Sequence, residues 1–370
     1  MDKIDAMLIT LLQENARAPL KLLASKVFLS APAVSSRIDK LEKQGITWTD
    51  KSGKNVDPLQ ALKSMGATAV RLRVFVNPPE NAMWRKPKKQ AYGREFGGEE
   101  CMLGLCDGKN VLEMAKRVKK LDMDLMIDFH YSDHFADPIY QDIPQAWETL
   151  DQDGLKQKVR EHTKEVLTLL TEHNIYPDWV QVGNEINSGI LLPAGSSSAN
   201  PQFLVELLNA GYEAVKECCP DCQVVTHISG GNDYNMCTRF FDVFFQNGGK
   251  TDIMGFSYYP YWVQMKHDEE KLTKDMTALA DRYRKPLMLA EIGGLETEEE
   301  ETYKLLRSAV RSIKAVPDGQ GKGIFYWEPE VGADLLPDQY PLGAARVNGD
   351  KNIQFTCAMN AYKDARAEEK

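Results

Sequence analysis

No stretch of this 370-residue chain approaches the roughly 20 consecutive apolar residues that a membrane-spanning helix needs, so a membrane partner is not expected. Met1-Asp2-Lys3 opens an amphipathic pattern where a secretion signal would show a charged start and an apolar run. A cytoplasmic location is the resulting expectation. A surplus of positive charge is also missing: 45 Lys and Arg stand against 54 Asp and Glu, a formal charge of −9. Such a surface repels polyanions at long range and suits a neutral, sugar-like substrate better. The seven cysteines are few and odd in number, which fits reduced thiols and not a disulfide framework. Cys219 and Cys222 form a CxxC, but a structural zinc site needs a second ligand pair, and Cys237 is the only later cysteine near it. Serine elbow, glycine-rich phosphate loop and HxH pair are all absent, so neither cofactor nor metal is expected.

What the chain does have is a content of 43% hydrophobic residues, enough to bury a large core. From about residue 57 helical patterns alternate with short apolar runs, the signature of βαβ units and a parallel sheet. The strand candidates are Ala69 to Val76, Leu125 to Phe129, Trp179 to Val182, Gln223 to Thr226, Ile253 to Ser257, Pro286 to Ala290 and Gly323 to Tyr326. Each is short, apolar and largely β-branched or aromatic, as strands buried on both faces should be. Amphipathic helices run through Val111 and Val118, Leu155 and Leu169, Leu272 and Tyr283, and Tyr303 and Ile313. Seven such repeats over some 300 residues suggest an α/β fold, a (β/α)8 TIM barrel one strand short, more than an open doubly wound sheet. Residues 79 to 101 read as a long loop, and residues 363 to 370 as a charged, solvated tail.

In a barrel of this kind the active site gathers at the C-terminal ends of the strands. Those ends carry Arg71 and Arg73, Asp128 to Asp133 with His130, Asn184-Glu185, His227, Tyr258-Tyr259, Glu291 and Trp327-Glu328. Acids at strand ends often do no more than cap the following helix. Two glutamates on separate strands, Glu185 and Glu291, are nevertheless what glycoside hydrolysis uses: a proton donor to the departing oxygen, and a nucleophile or base opposite. Aromatic residues can supply the floor for a sugar ring. His130 and His134 are expected as sugar contacts or core hydrogen-bonding groups and not as metal ligands.

The segments Asp128-Phe129-His130-Tyr131-Ser132-Asp133 with Ala136-Asp137-Pro138, Val182-Gly183-Asn184-Glu185-Ile186-Asn187, Ser257-Tyr258-Tyr259-Pro260 and Phe325-Tyr326-Trp327-Glu328-Pro329 resemble glycoside hydrolase family 53, the endo-β-1,4-galactanases. Order and spacing agree from about residue 44 to about 362. The resemblance implies retaining hydrolysis of galactan or arabinogalactan, with Glu185 as acid/base and Glu291 as nucleophile, about 5 to 5.5 Å apart. It further implies that Arg71, Asn184 and Tyr259 orient Glu291, and that His130, Asp133, His227 and Trp327 join them in binding substrate. His134-Phe135 stands where the family has Thr-Trp, Leu192 where it has Trp, and Asn232-Asp233 inverts its Asp-Asn. The first two changes remove indole surface worth about 1 kcal/mol each in sugar stacking.

Residues 1 to 46 differ in kind. Ile4, Leu8, Leu11 and Leu12 mark one helix, Leu20 to Val27 a second, and Ser30 caps a third through Val34, Ile38 and Leu41. Leu12-Gln13-Glu14-Asn15-Ala16-Arg17 and Val34-Ser35-Ser36-Arg37-Ile38 resemble the helix-turn-helix of Lrp/AsnC-type regulators. A recognition helix over residues 31 to 43 would offer Ser35, Ser36, Arg37 and Lys40 to DNA. Seven Lys and Arg against five Asp and Glu leave this segment at only +2, weak support for a DNA partner. Two alternatives to galactan hydrolysis follow: another retaining β-glycosidase on the same barrel, or a DNA-binding regulator whose inactive barrel senses galacto-oligosaccharide. The N-terminal segment also stands where the family's first barrel strand belongs. The barrel from residue 47 to 362 is therefore expected to stay open between the strands at Val70 and Tyr326, with Thr47 to Thr49 unable to fill the gap.

Overall fold

Seven of the apolar runs pair side by side, in chain order and all parallel, in the computed structural model, which describes residues 3–14, 18–27, 47–50, 52–348 and 352–367. They are β1 (Ala69–Val74), β2 (Asp124–Phe129), β3 (Trp179–Val182), β4 (Gln223–Ile228), β5 (Ile253–Tyr258), β6 (Leu287–Ile292) and β7 (Gly321–Tyr326). Each matches an expected strand to within two residues at either end. Helices return the chain on the outside, so the five inner strands are packed on both faces. Leu125, Ile127, Val180, Val224, Met254, Phe256, Leu287 and Leu289 point outward into the layer shared with those helices. Met126, Val225, Ile253 and Met288, with Trp179 and Phe325, fill the barrel interior. This is the period-two alternation of a strand wrapped around an axis.

No ladder joins β7 to β1 among the described residues. An intervening strand would hold the two about 9 to 10 Å apart. Their Cα atoms approach to within 8 Å, so this seam is drawn in but not hydrogen-bonded. Thr47–Trp48 does not enter the gap. It pairs in parallel with Asn352–Phe355, which pairs antiparallel with Ala345–Asn348, in a small sheet outside the barrel. Trp48 is buried there against Ile353 and Ala345, with the Phe355 ring 4.6 Å away.

Two helices, Pro201–Cys218 and Tyr234–Gln246, are present beyond those expected. The first buries Phe203, Leu204, Val205, Leu207 and Leu208 and exposes Gln202, Glu213 and Glu217; the second buries Cys237, Phe241 and Phe244 and exposes Asn235, Arg239 and Gln246, so each has an apolar and a polar face. Asp233 caps the second helix by accepting the Met236 N–H at 2.9 Å, a task asparagine performs equally well, so nothing in the structure explains the Asn232-Asp233 order.

Two further expectations need correction. Residues 79 to 101 are not a structureless loop. Met83–Arg85 pairs antiparallel with Glu100–Met102, and inside that hairpin Lys89–Ala91 pairs with Arg94–Phe96. Residues 361 to 367 form a helix and not a solvated tail: Ala365 is buried and Asp364 accepts a hydrogen bond from the Tyr303 hydroxyl at 2.6 Å.

The first two N-terminal helices are present as Lys3–Glu14 and Leu20–Lys26. Met7, Leu8, Leu11, Leu23 and Val27 pack against Met102, with Met83, Leu105 and Leu336 alongside, so the apolar faces rest on the hairpin excursion. The recognition helix expected over residues 31 to 43 lies outside the described residues. Among the described residues no helix is long and apolar enough to cross a membrane. All seven cysteine thiols are unbridged, and the Cys222 thiol donates to the Pro177 carbonyl at 2.6 Å.

Candidate active site

The alternation that sends Met126 inward also sends Asp128 and His130 inward, and likewise places Gln181 on β3, His227 on β4, Ser257 on β5 and Trp327 after β7 at one end of the barrel. On β6 strict alternation would bring Ala290 and not Glu291 to face Ser257. The ladder skips a residue there: Phe256 pairs with Leu289, and Ser257 with Glu291. This bulge turns the glutamate inward, the kind of re-aiming that bulges provide beside active sites.

Glu291 is 5% exposed and surrounded by donors. Its Oε1 accepts from Arg71 Nη1 at 3.0 Å, and its Oε2 accepts from the Tyr259 hydroxyl at 3.2 Å and from Ser257 Oγ at 3.4 Å. Burial pushes its carboxyl above the ordinary range, while Arg71 and Tyr259 pull the other way. Arg71 also reaches Gln181 Oε1 at 3.1 Å, Asn184 Oδ1 at 2.7 Å and Asp128 Oδ2 at 2.8 Å. One guanidinium from β1 thus ties together residues of β2, β6 and the β3 end. Asn184, expected to contact Glu291, acts instead through Arg71 and anchors itself by donating to the Ala136 carbonyl at 2.8 Å.

Glu185 sits just past β3 in the left-handed region, at φ 47° and ψ 50°. Gly183, at φ 84°, makes the preceding turn possible: a Cβ there would come within 2.7 Å of Ile186 Cγ2. Burial, and then the Glu291 charge, raise the Glu185 carboxyl well above its ordinary value. The two glutamates are therefore close enough to feel each other and unequal in environment. Glu291 faces a guanidinium, and Glu185 is the one driven toward its protonated form.

Of the two roles open to His130, the structure shows core hydrogen bonding, and His227 is bonded in the same way. His130 is 1% exposed, accepts the Ala136 N–H at Nδ1 (2.9 Å) and meets Asp128 Oδ2 with Nε2 (2.9 Å). His227 is fully buried between Asn184 Oδ1 at 2.8 Å and Ser257 Oγ at 2.9 Å. Burial holds both imidazoles below their ordinary pKa. Asp133 lies apart from the cluster, its two oxygens accepting the backbone N–H groups of Asn77 and Gln145, both at 2.9 Å. Both histidines and Asp133 thus support the site's frame. Tyr259 lies at Glu291, as expected, and Trp327 lies beside Arg71 and Arg73.

Trp327 is half-buried, with the Arg71 and Arg73 guanidiniums each 5.2 Å from its ring centre and Phe135 edge-on at 6.1 Å. The indole lost at position 135 has a neighbour from elsewhere: Trp84, from the hairpin excursion, stacks on His134 at 3.8 Å and 6°. Asp128, Gln181 and Ser257 were missed as site residues. Their signal was available, since each lies on the inward parity of its strand, one residue before its C-terminal end.

The sequence model of glycosyl hydrolase family 53 matches residues 33–361, and that of the AsnC-type helix-turn-helix domain matches residues 1–42. The endo-beta-1,4-galactanase of Bacillus subtilis (strain 168) is 29% identical over 327 residues, 82% of this chain and 70% of its own length. The arabinogalactan endo-beta-1,4-galactanase of Cellvibrio japonicus (strain Ueda107) is 31% identical over 322 residues, 80% of this chain and 78% of its own. Among solved structures, the family 53 catalytic domain of Ignisphaera aggregans superposes with a TM-score of 0.72 at 26% identity, covering 88% of this chain and 93% of that one.

Proposed function

The chain belongs to glycosyl hydrolase family 53, and from that premise we propose that it hydrolyses internal β-1,4-galactosidic linkages of galactan with retention, through Glu185 and Glu291. The observation that carries the reading is the inequality of the two buried glutamates: one bonded to Arg71 and Tyr259, the other raised by burial and by its neighbour's charge. In the first step protonated Glu185 donates to the glycosidic oxygen as a Glu291 oxygen attacks the anomeric carbon. The C–O bond breaks, the shortened galactan leaves, and a glycosyl ester to Glu291 remains. Glu185, now a carboxylate, takes a proton from water, whose oxygen attacks the same carbon and releases Glu291. Arg71 and Tyr259 favour the attacking carboxylate; Trp327 provides sugar-facing aromatic surface; Asn184, His130 and His227 hold the frame. Asp133 fixes the loops beyond β1 and β2.

Galactan is favoured over mannan or xylan by the activities of the two named relatives. A DNA-binding function would rest on residues 31 to 43, outside the described residues, and no structural observation favours it. The barrel unit over residues 47 to 362, following the helix-turn-helix-like segment 1 to 46, belongs to the same proposal. Incubating the full chain with soluble galactan, mannan and xylan, with detection of new reducing ends, should show release from galactan alone. Proton NMR of the first products should show the β-anomer. Initial α-anomer would exclude retention, and release from mannan or xylan without galactan would overturn the substrate.

A further inference from the structure

Among the described residues the seam between β1 and β7 lacks a backbone ladder, yet side chains cross it at one end. Arg73 of β1 pairs with Glu328, just past β7, at 2.7 Å, and the two side chains are 18% and 10% exposed. Arg73 Nη2 also donates to the Leu103 carbonyl at 3.3 Å, and its guanidinium lies 4.8 Å from the Phe135 ring centre and 5.2 Å from that of Trp327. Trp327 and Glu328 are adjacent in sequence, so the strand end that presents the indole is the one the ion pair grips. Glu328 itself is at φ 49°, a backbone conformation that a glutamate adopts only when its surroundings hold it there. Arg71, two residues before Arg73 on β1, carries the bond to Glu291.

We propose that Glu328 is a positioning residue for hydrolysis, acting through Arg73 to fix Trp327 and the Arg71 strand relative to each other where no ladder does so. The proposal rests on the galactanase reading and adds a third carboxylate with a separate task. Glu328 is not catalytic: it reaches the proposed substrate surface only through Arg73 and its neighbour Trp327. Its carboxyl lies near neutrality, pushed up to about 7 by burial against the pull of Arg73, with Glu330 and Asp338 adding to the rise. The groups facing it are Arg73 from β1 and Glu330, Asp338 and Tyr340 from the segment after β7.

The test measures kcat and KM on soluble galactan from pH 6 to 8 for the full-length protein and for Glu328→Gln, Glu328→Asp, Arg73→Gln and the double Glu328→Gln/Arg73→Gln. Glu328→Gln is expected to raise KM about tenfold at pH 8 while kcat stays within about threefold. The double variant should be no worse than either single one, as for two groups acting as a unit, and Glu328→Asp should recover part of the loss. In the unsubstituted protein KM should climb as pH falls from 8 to 6, and in Glu328→Gln it should be flat and high. Calorimetric binding of β-1,4-galactotetraose to Glu291→Gln, with and without Glu328→Gln, reads the same weakening without turnover. An unchanged KM and tetraose affinity, additive losses, or a lowered melting temperature with neither constant altered would overturn the role of Glu328 and leave the galactanase reading intact. Failure of the unsubstituted protein to cleave galactan, together with failure of Glu291→Gln to bind the tetraose, would remove the reading and the proposal with it.

Discussion

Strands β2 to β6 are buried along almost their whole length and paired on both edges, whereas β1 and β7 expose part of nearly every side chain and, among the described residues, each has one unpaired edge. The closed arc locates its residues by backbone register: Glu291 stands opposite Ser257 because the ladder puts it there. The seam locates its residues by side chains, with Arg73 on Glu328 and two guanidiniums beside Trp327. A ladder holds position through many bonds of similar strength, so losing one is felt weakly. A seam held by a few charged contacts concentrates the same task in single residues, and a buried ion pair orients more than it stabilises.

The largest expected effect lies on the arc. Glu291→Gln should lower kcat on galactan by about 10⁴ or more with the melting temperature unchanged or slightly raised, because it removes the proposed nucleophile together with a carboxyl that burial disfavours. Activity within tenfold of the parent would remove Glu291 from that role. Packing gives a direct contrast between the two regions. Leu289→Ala, fully buried on β6, should cost about 3 kcal/mol in denaturant unfolding, and Ile324→Ala, half-buried on β7, about half as much. Equal costs would mean that the seam is packed as tightly as the arc.

The contrast also has a pH signature. Glu328 has a folded pKa of about 7 against an ordinary 4.5, so the folded state binds the extra proton between those values. Its contribution to stability is fully present below about pH 4.5 and is lost as pH rises to about 7, an amount on the order of 3 kcal/mol. Glu185 and Glu291 are shifted in the same direction. Comparing melting temperatures of Glu328→Gln and its parent from pH 4.5 to 8 should therefore show the parent's advantage shrinking with rising pH. An advantage that grows instead would contradict the raised carboxyl. The smallest expected effect concerns the N-terminal helices. Leu8→Asp should disrupt the cluster around Met102 yet leave kcat/KM on galactan within about twofold, since none of that cluster contacts Glu185, Glu291 or Arg71. A tenfold loss would show that the helices support the site.

The barrel was legible because its strands are short apolar runs between polar helices, and Trp179–Val182 was placed to the residue. The helices at Pro201–Cys218 and Tyr234–Gln246 carry the same 3.6-residue contrast, with Cys237, Phe241 and Phe244 buried and Asn235, Arg239 and Gln246 exposed in the second, and were legible in principle. The nested hairpins over residues 83 to 102 stayed hidden since three-residue strands rich in Lys, Arg and Glu carry little alternation. Within the candidate site, Glu185 and Glu291 were singled out by their chemistry and the resemblance, while alternation alone would have turned Glu291 outward; the bulge opposite Ser257 is a property of the ladder that composition does not record. The resemblance implied substrate contacts for His130, His227 and Asp133, with core hydrogen bonding the other role open to His130. Here backbone N–H groups and neighbouring side chains occupy them first.

Arg71 holds Asp128, Gln181, Asn184 and Glu291 from a strand that, among the described residues, is itself secured on one edge only. Warming that loosens the seam would carry the guanidinium away from Glu291 well before the five inner strands separate. Heat inactivation should then run ahead of unfolding: galactan hydrolysis should fade at temperatures where circular dichroism still reports an intact barrel, and return on cooling without any need to refold.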